Sequence, residues 1–275
     1  MNNLIFDVPL ISGKSNATIT EISKLSNKKH RMLSKLFVCD GIKLFNEAVQ
    51  FGAKIKYIVL DNLVELEENV IFNVKKCASN GAKILCVEKH IFDKLTSENA
   101  PQGIITVCEF YNEKHIFSAN VKNEDFCQKS LVILESVRDP GNIGTILRNA
   151  VALGIDKLIL SSDCADIYSP KVVRSSMGAI FKIEIQIVDN LCECINAIKK
   201  CGRRVLAAAI NDKALILGKD KVSRDDVVVL GNEGHGISHA VIDECSDMIF
   251  IPMKGNTESL NVAMASAIIM WEISK

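Results

Sequence analysis

Apolar positions in the first part of the chain alternate between helical and strand periods. Ile42, Phe45, Ala48 and Val49 share one face of a helix that Gly52 stops. The runs at 54–60 (KIKYIVL), 83–88 (KILCVE) and 104–110 (IITVCEF) read as strands, and a helical stretch around 67–80 ends at Asn80-Gly81. These elements predict a small α/β unit over residues 1–110, and the polar, poorly periodic residues 111–129 predict a linker. Residues 20–35 are polar and basic, with Lys24, Lys28, Lys29, Arg31 and Lys35.

From 130 to 275 the pattern becomes a strict alternation. Short apolar runs at 131–137, 157–162, 182–188, 204–210, 227–231 and 248–253 are separated by helical segments at 142–153, 169–180, 190–201 and 237–245, with a last helix from 259 onward. Apolar strands alternating with helices predict a parallel sheet covered on both faces. Ligands of such sheets lie beyond the carboxyl ends of the strands, which directs attention to the loops after Val137, Leu230 and Met253.

Each of these loops admits a plain reading. Arg138-Asp139-Pro140-Gly141-Asn142 is a tight turn into a helix, with Asn142 available as N-cap and Arg148 on the helix surface. Leu230-Gly231-Asn232-Glu233-Gly234-His235-Gly236 spaces its glycines as GxxGxG, unlike the GxGxxG of dinucleotide-binding loops. Its His235 is either catalytic or simply an exposed loop residue. In the third loop Ser259 is placed to cap the last helix, and Asn261 is a polar residue in an otherwise apolar run.

Composition narrows the function little. The 275 residues are 48% hydrophobic and 24% charged, ordinary for a folded chain, and the formal net charge is +0. Binding to a polyanion would therefore need a local basic patch such as Lys24–Lys35. Of the 10 cysteines the nearest pair is Cys192 and Cys194; with no CxxC and no histidine cluster, buried free thiols are expected and no metal. The start lacks a basic region followed by an apolar run, and no apolar stretch approaches membrane-spanning length. The expectation is a cytoplasmic protein without a membrane partner.

Taken together and in order, DPGNIGTILRNAVALG, VVVLGNEGHGI and IFIPMKGNTESLNVAMASAIIMWE resemble the three motifs of the SpoU (TrmH) family of RNA 2′-O-ribose methyltransferases. YSPKVVRSSMGAIFKIEI (168–185) also resembles that family, and residues 20–60 look like its ribosomal-protein-like, RNA-binding N-terminal domain. The resemblance implies a SPOUT fold over 130–275, a parallel sheet with a deep trefoil knot, a rare exception to the unknotted rule. It further implies S-adenosylmethionine as cofactor, a homodimer formed through the C-terminal domain, and an RNA substrate, ribosomal RNA before tRNA. Carried over by motif position, the cofactor residues are Leu230, Gly231, Glu233, Gly234, Ile251, Pro252, Met253 and Leu260. The catalytic positions are Asn142, Arg148, Glu233, Ser259 and Asn261, with Asn142 expected to orient Arg148 or the ribose. Ala263 stands where the family often has serine, and Asn149 where threonine or another small polar residue is frequent. Two rivals are a tRNA ribose methyltransferase and a non-catalytic RNA-binding protein of the same fold. A nicotinamide oxidoreductase lacks its early glycine fingerprint here.

Overall fold

A computed structural model describes residues 1–13, 16–110, 124–211, 214–254 and 259–275. The first half contains α1 (Asn2–Ile5), β1 (Leu10–Ile11), α2 (Ala17–Ser23), α3 (Lys28–Ser34), β2 (Leu36–Asp40), α4 (Ile42–Gln50), β3 (Ile55–Asp61), α5 (Glu68–Ser79), β4 (Lys83–Val87), α6 (Lys89–Leu95) and β5 (Ile104–Glu109). The second half contains α7 (Glu124–Cys127), β6 (Leu131–Leu134), α8 (Pro140–Ala152), β7 (Lys157–Ser161), α9 (Pro170–Ser176), β8 (Glu184–Val188) and α10 (Leu191–Lys200). It continues with β9 (Val205–Ala208), β10 (Leu215–Ile216), β11 (Val227–Leu230), α11 (His239–Glu244), β12 (Asp247–Phe250) and α12 (Val262–Ile273). The chain forms two compact units: the described residues up to 110 together with Asp166–Phe181, and the remainder.

The first unit is built on a five-stranded sheet in the order β1-β4-β3-β5-β2. β4 runs parallel to β1 and β3, whereas β5 is antiparallel to β3 and β2. The period of two in β3 distributes its side chains to both faces. Tyr57 and Val59 join Ile22 of α2 and Phe92 of α6; Ile58 and Leu60 join Phe45 of α4 with Val70 and Val74 of α5.

The polar, basic stretch at 20–35 holds helical turns in α2 and α3. Asn16 and Asn27 cap them through their side-chain oxygens, and a 3-10 turn at Lys24–Ser26 joins them. Arg31, expected among the RNA-facing cations, is instead buried at 3% exposure. Its Nη1 donates to the carbonyls of Leu25 and Ser26 (2.7 and 2.8 Å), and Nε and Nη2 donate to Asp166 at 3.2 and 2.6 Å. Four of its five N–H donors are thus taken inside the protein, and its burial keeps the group from a phosphate in solvent. α9 is shorter than the helix expected at 169–180: it stops at Met177, whose φ of 51° leaves the helical region, and a 3-10 turn at Ala179–Phe181 follows.

The second unit is a seven-stranded sheet in the order β10-β12-β9-β11-β6-β7-β8, every pairing parallel. β6 and β11 are buried along their whole length, as apolar strands covered on two faces should be. α10 and α11 cover one face through Ile195, Ile198 and Val241 against Ile133, Val205 and Val229. α8 and α12 pack against each other and α12 contacts β11. The strand expected at 248–253 ends at Phe250, and β10 was not foreseen because only two residues pair. Most of the expected linker, 111–123, lies outside the described residues. At its far end Phe126 is fully buried in the core of the second unit.

The cysteines divide. Cys86, Cys108, Cys164 and Cys194 are buried free thiols. Cys127 and Cys201 form a disulfide, with Cα atoms 5.3 Å apart, contrary to the expectation of free thiols throughout. The pairing is across 74 residues, a separation no spacing motif encodes. No helix among the described residues is long and apolar enough to cross a membrane.

Candidate active site

Parallel strands bring all their carboxyl ends to one edge, and the strand order decides which loops meet there. β9 lies between β12 and β11, and β11 lies next to β6. At the ends of β9, β11 and β12 a cavity of about 430 Å³ opens, lined by residues 208–210, the loop after β11, Ile251, Met253 and the start of α12. Of the residues carried over as cofactor contacts, Leu230, Gly231, Glu233, Gly234, Ile251, Met253 and Leu260 line it. Pro252 is not among the lining residues. Ala208, Ala209 and Ile210 were not foreseen, since nothing in the sequence places β9 between the two motif strands.

The loop after β11 is closed by paired backbone hydrogen bonds between Asn232 and Gly236, 2.9 and 3.0 Å long. Gly231 enters it with no room for a side chain: a Cβ there would lie 2.3 Å from the carbonyl carbon of Gly236. The glycine thus serves close approach of backbone to backbone. Asn232 braces the loop, donating to the carbonyl of Ser136 at 2.7 Å and accepting from the amides of Gly234 and His235 at 2.9 and 3.1 Å. His235 itself is exposed.

α8 begins with Asp139 as N-cap, its carboxylate accepting from the Asn142 amide at 2.9 Å, and with Pro140 in the first turn. The cap is therefore Asp139, not Asn142, which leaves the Asn142 side chain for other work. Its Nδ2 donates to Glu233 Oε1 at 2.9 Å, and its Oδ1 accepts from Asn261 Nδ2 at 3.0 Å. Glu233 also accepts from the backbone amides of Arg138 and Asp139 at 3.3 and 3.2 Å. Asn261 completes the relay: its Oδ1 accepts from the amides of Ala263 and Met264, making it the N-cap of α12 in place of the expected Ser259. Ser259 is exposed and lines the cavity. Asn149 donates to the Ala263 carbonyl at 3.3 Å, tying α8 to α12 about two turns further along α8.

One side chain from each of three loops is thus joined in the order Asn261, Asn142, Glu233. Partial burial would raise the Glu233 carboxyl, but the hydrogen bonds from Asn142 and the Asp139 and Arg138 amides outweigh it and hold the group below its ordinary range. An ionised carboxylate with its oxygens so occupied organises the site and is a poor proton acceptor. Asn142 thus reaches Glu233 and Asn261, and among the described residues no hydrogen bond joins it to Arg148. Arg148 projects from α8 into solvent and makes no ion pair among the described residues.

In the first unit, Lys24, Lys28, Lys29 and Lys35 are exposed. Lys35 lies over the Phe110 ring, 5.5 Å from its centroid. With Arg31 internal, the basic face is carried by lysines alone.

Residues 129–271 match the SpoU rRNA Methylase family, and residues 16–106 match the MRM3-like substrate binding domain. The chain belongs to the SpoU rRNA methylase family. It is 27% identical over 263 residues to the 23S rRNA (guanosine(2553)-2′-O)-methyltransferase RlmP of Bacillus subtilis, covering 96% of this chain and 98% of that one. It is 31% identical over 205 residues to the 23S rRNA (guanosine-2′-O-)-methyltransferase RlmB of Coxiella burnetii, covering 74% and 80%. The crystal structure of an AdoMet-bound rRNA methyltransferase from Sinorhizobium meliloti superposes with a TM-score of 0.82 at 28% identity, over 96% of this chain and 97% of that one.

Gly231→Ala should force the loop after β11 away from Gly236 and deform the cavity. Titration calorimetry with S-adenosylmethionine is expected to show affinity at least about tenfold weaker, since about 1.4 kcal/mol of misfit has that effect. Unchanged affinity would mean that this cavity does not hold the cofactor.

Proposed function

We propose that this SpoU-family methyltransferase acts in the cytoplasm as a homodimer, methylating a ribose 2′-hydroxyl of ribosomal RNA in preference to tRNA. The Asn261–Asn142–Glu233 relay carries this reading, because it assembles the three motif loops at the rim of one cavity. The RNA preference rests on the 23S rRNA activity named for the Bacillus relative, which is matched over nearly its whole length.

The cavity fits S-adenosylmethionine by size, falling within the range of small-molecule sites. Apolar walls from Leu230, Ile251 and Leu260 suit a nucleoside, and the bare Gly231 and Gly234 leave backbone groups approachable. When bound, the cofactor supplies a methyl carbon already activated by its sulfonium. A C–O bond then forms at the ribose oxygen as the C–S bond breaks, and the hydroxyl proton passes to water or a phosphate oxygen. A guanidinium offers donors and no acceptor, so the hydroxyl proton is not assigned to Arg148. Its guanidinium, exposed and without an ion pair among the described residues, is suited to gripping the phosphate beside the target ribose and stabilising the developing alkoxide. Asn142, Glu233 and Asn261 hold the loops in place, and Ser259 contributes a hydroxyl to the cavity rim. Lys24, Lys28, Lys29 and Lys35 follow the RNA backbone without reading bases.

The homodimer reading rests on α12. Met264, Ile268 and Trp271 are 57%, 41% and 57% exposed and lie at helical spacing on one face. Large apolar side chains aligned in this way mark an interface.

Arg148→Ala should retain cofactor binding by calorimetry but lose roughly 10²–10³ in methyl transfer to ribosomal RNA, the usual cost of removing an electrostatic contact made in the transition state. A wild-type rate would remove Arg148 from the mechanism; mapping 2′-O-methyl sites in cells with and without the gene identifies the nucleotide. Lys28→Gln combined with Lys29→Gln should lower the slope of log affinity against log salt by roughly 1.5, two phosphate contacts' worth. No change in slope would make these lysines a merely solvated face. Met264→Glu with Trp271→Glu should convert a dimer to a monomer in sedimentation velocity; a wild-type protein that sediments as a monomer would exclude the interface.

A further inference from the structure

Ser136 lies in the loop after β6, three residues before the Asp139 cap, with φ of 54°. That is left-handed backbone, disfavoured for a residue with a Cβ. Every polar group of Ser136 is engaged there. Its amide donates to Ser161 Oγ at 2.8 Å, its hydroxyl donates to Asp163 Oδ2 at 2.6 Å, and its carbonyl accepts from Asn232 Nδ2 at 2.7 Å. Asp163 also accepts from the Ser161 hydroxyl at 2.6 Å and from Arg138 Nη2 at 3.1 Å. The carbonyl of Val137 accepts from the Ala165 amide at 3.0 Å. Three consecutive residues are therefore anchored to the turn after β7. The next two backbone amides to become available, those of Arg138 and Asp139, are the ones that hold Glu233.

We propose that Asp163 and Ser136 are positioning residues for methyl transfer: the Asp163 carboxylate holds Ser136 in its left-handed conformation, and that turn aims the Arg138 and Asp139 amides at Glu233. The proposal rests on the assignment of the Asn261–Asn142–Glu233 relay to the reacting site. Neither residue lines the cavity, so both act through the loop. Desolvation would raise the Asp163 carboxyl, but the Ser136 and Ser161 hydroxyls and the Arg138 guanidinium outweigh it and hold the group below its ordinary range. The carboxylate is thus ionised at neutral pH and accepts all three donors. Arg138, although on the surface, is thereby turned toward this turn. Asp163 lies outside the three motifs that carry the family resemblance, and nothing in its local sequence marks it as part of the site.

Glycine supplies the test, because it adopts positive φ without a hold. Asp163→Asn and, separately, Ser136→Ala should lower kcat about ten- to a hundredfold, the range expected for a sub-ångström misplacement. KM for RNA and the affinity for S-adenosylmethionine should change little. Adding Ser136→Gly to Asp163→Asn should restore most of the lost kcat. Hydrogen exchange at the Arg138 and Asp139 amides, followed by NMR, should quicken in Asp163→Asn and slow again in the double variant. Full activity in Asp163→Asn, or no recovery in the double variant, overturns the proposal. The exchange readout does not depend on catalysis. If the wild-type protein methylated no RNA, the functional assignment would fail, while unaltered exchange would separately overturn the hold of Asp163 on the loop.

Discussion

Asn142 has one carbonyl and one amino group, and each is used by a different part of the second unit. The carbonyl receives Asn261, which at the same time caps α12; the amino group reaches Glu233, which at the same time receives the amides that open α8. A short side-chain amide thus closes a circuit through two helix N-termini and a strand-end loop. Each bond orients the donors and acceptors of the next, so the polarity of the whole relay follows from the single carboxylate at its end. Unpaired amides at a helix N-terminus attract negative charge, and Glu233 supplies it from another loop. That is why an acidic residue is held ionised beside the site without being available as a base.

The relay depends on a backbone arrangement that only the sheet provides. β11 is flanked by β9 on one side and β6 on the other, so the loops after all three strands meet at one edge. The loop after β11 folds back on itself so tightly that Gly231 touches the backbone of Gly236. This contact draws Glu233 toward α8 while leaving Leu230 and Gly234 to wall the cavity. Asn232 then fastens the loop to Ser136, so the neighbouring residues Asn232 and Glu233 both reach the loop after β6.

Charge is divided between folding and function in a way that a count does not reveal. Arg31 and Lys28 are three residues apart on one short helix, yet one is internal and ion-paired with Asp166 and the other is in solvent. Arg203 likewise donates to the carbonyls of Phe126, Lys129 and Asp225, filling backbone acceptors that burial would otherwise leave unsatisfied. Such cations hold segments together through fixed planar donors. The lysines of α3 and Arg148 of α8 remain available to a polyanion. A protein with formal net charge +0 can in this way still present cationic groups at a chosen place.

Much of the architecture was legible in the sequence. The alternation of apolar strands and helices from 131 onward corresponds to an all-parallel sheet, because strands buried on both faces must be apolar throughout. The motif order identified the family, and seven of the eight cofactor positions it implied line one cavity. The errors arose where a residue's role depends on partners far along the chain. Arg31 was read as surface because Asp166 is 135 residues away. The plain reading of Asn142 and Ser259 as caps fails because Asp139 and Asn261 compete for those roles through geometry that spacing alone does not resolve. Cys127 found Cys201 across 74 residues. The sequence by itself determined the alternation of strands and helices in the second unit and which loops carry polar chemistry, since these follow from local period and turn residues, whereas a two-residue strand such as β10 is too short to leave a period. Only the tertiary structure decided the strand order, the relay from Asn261 to Glu233 and the division of basic residues between core and surface, because long-range pairing has no local signature.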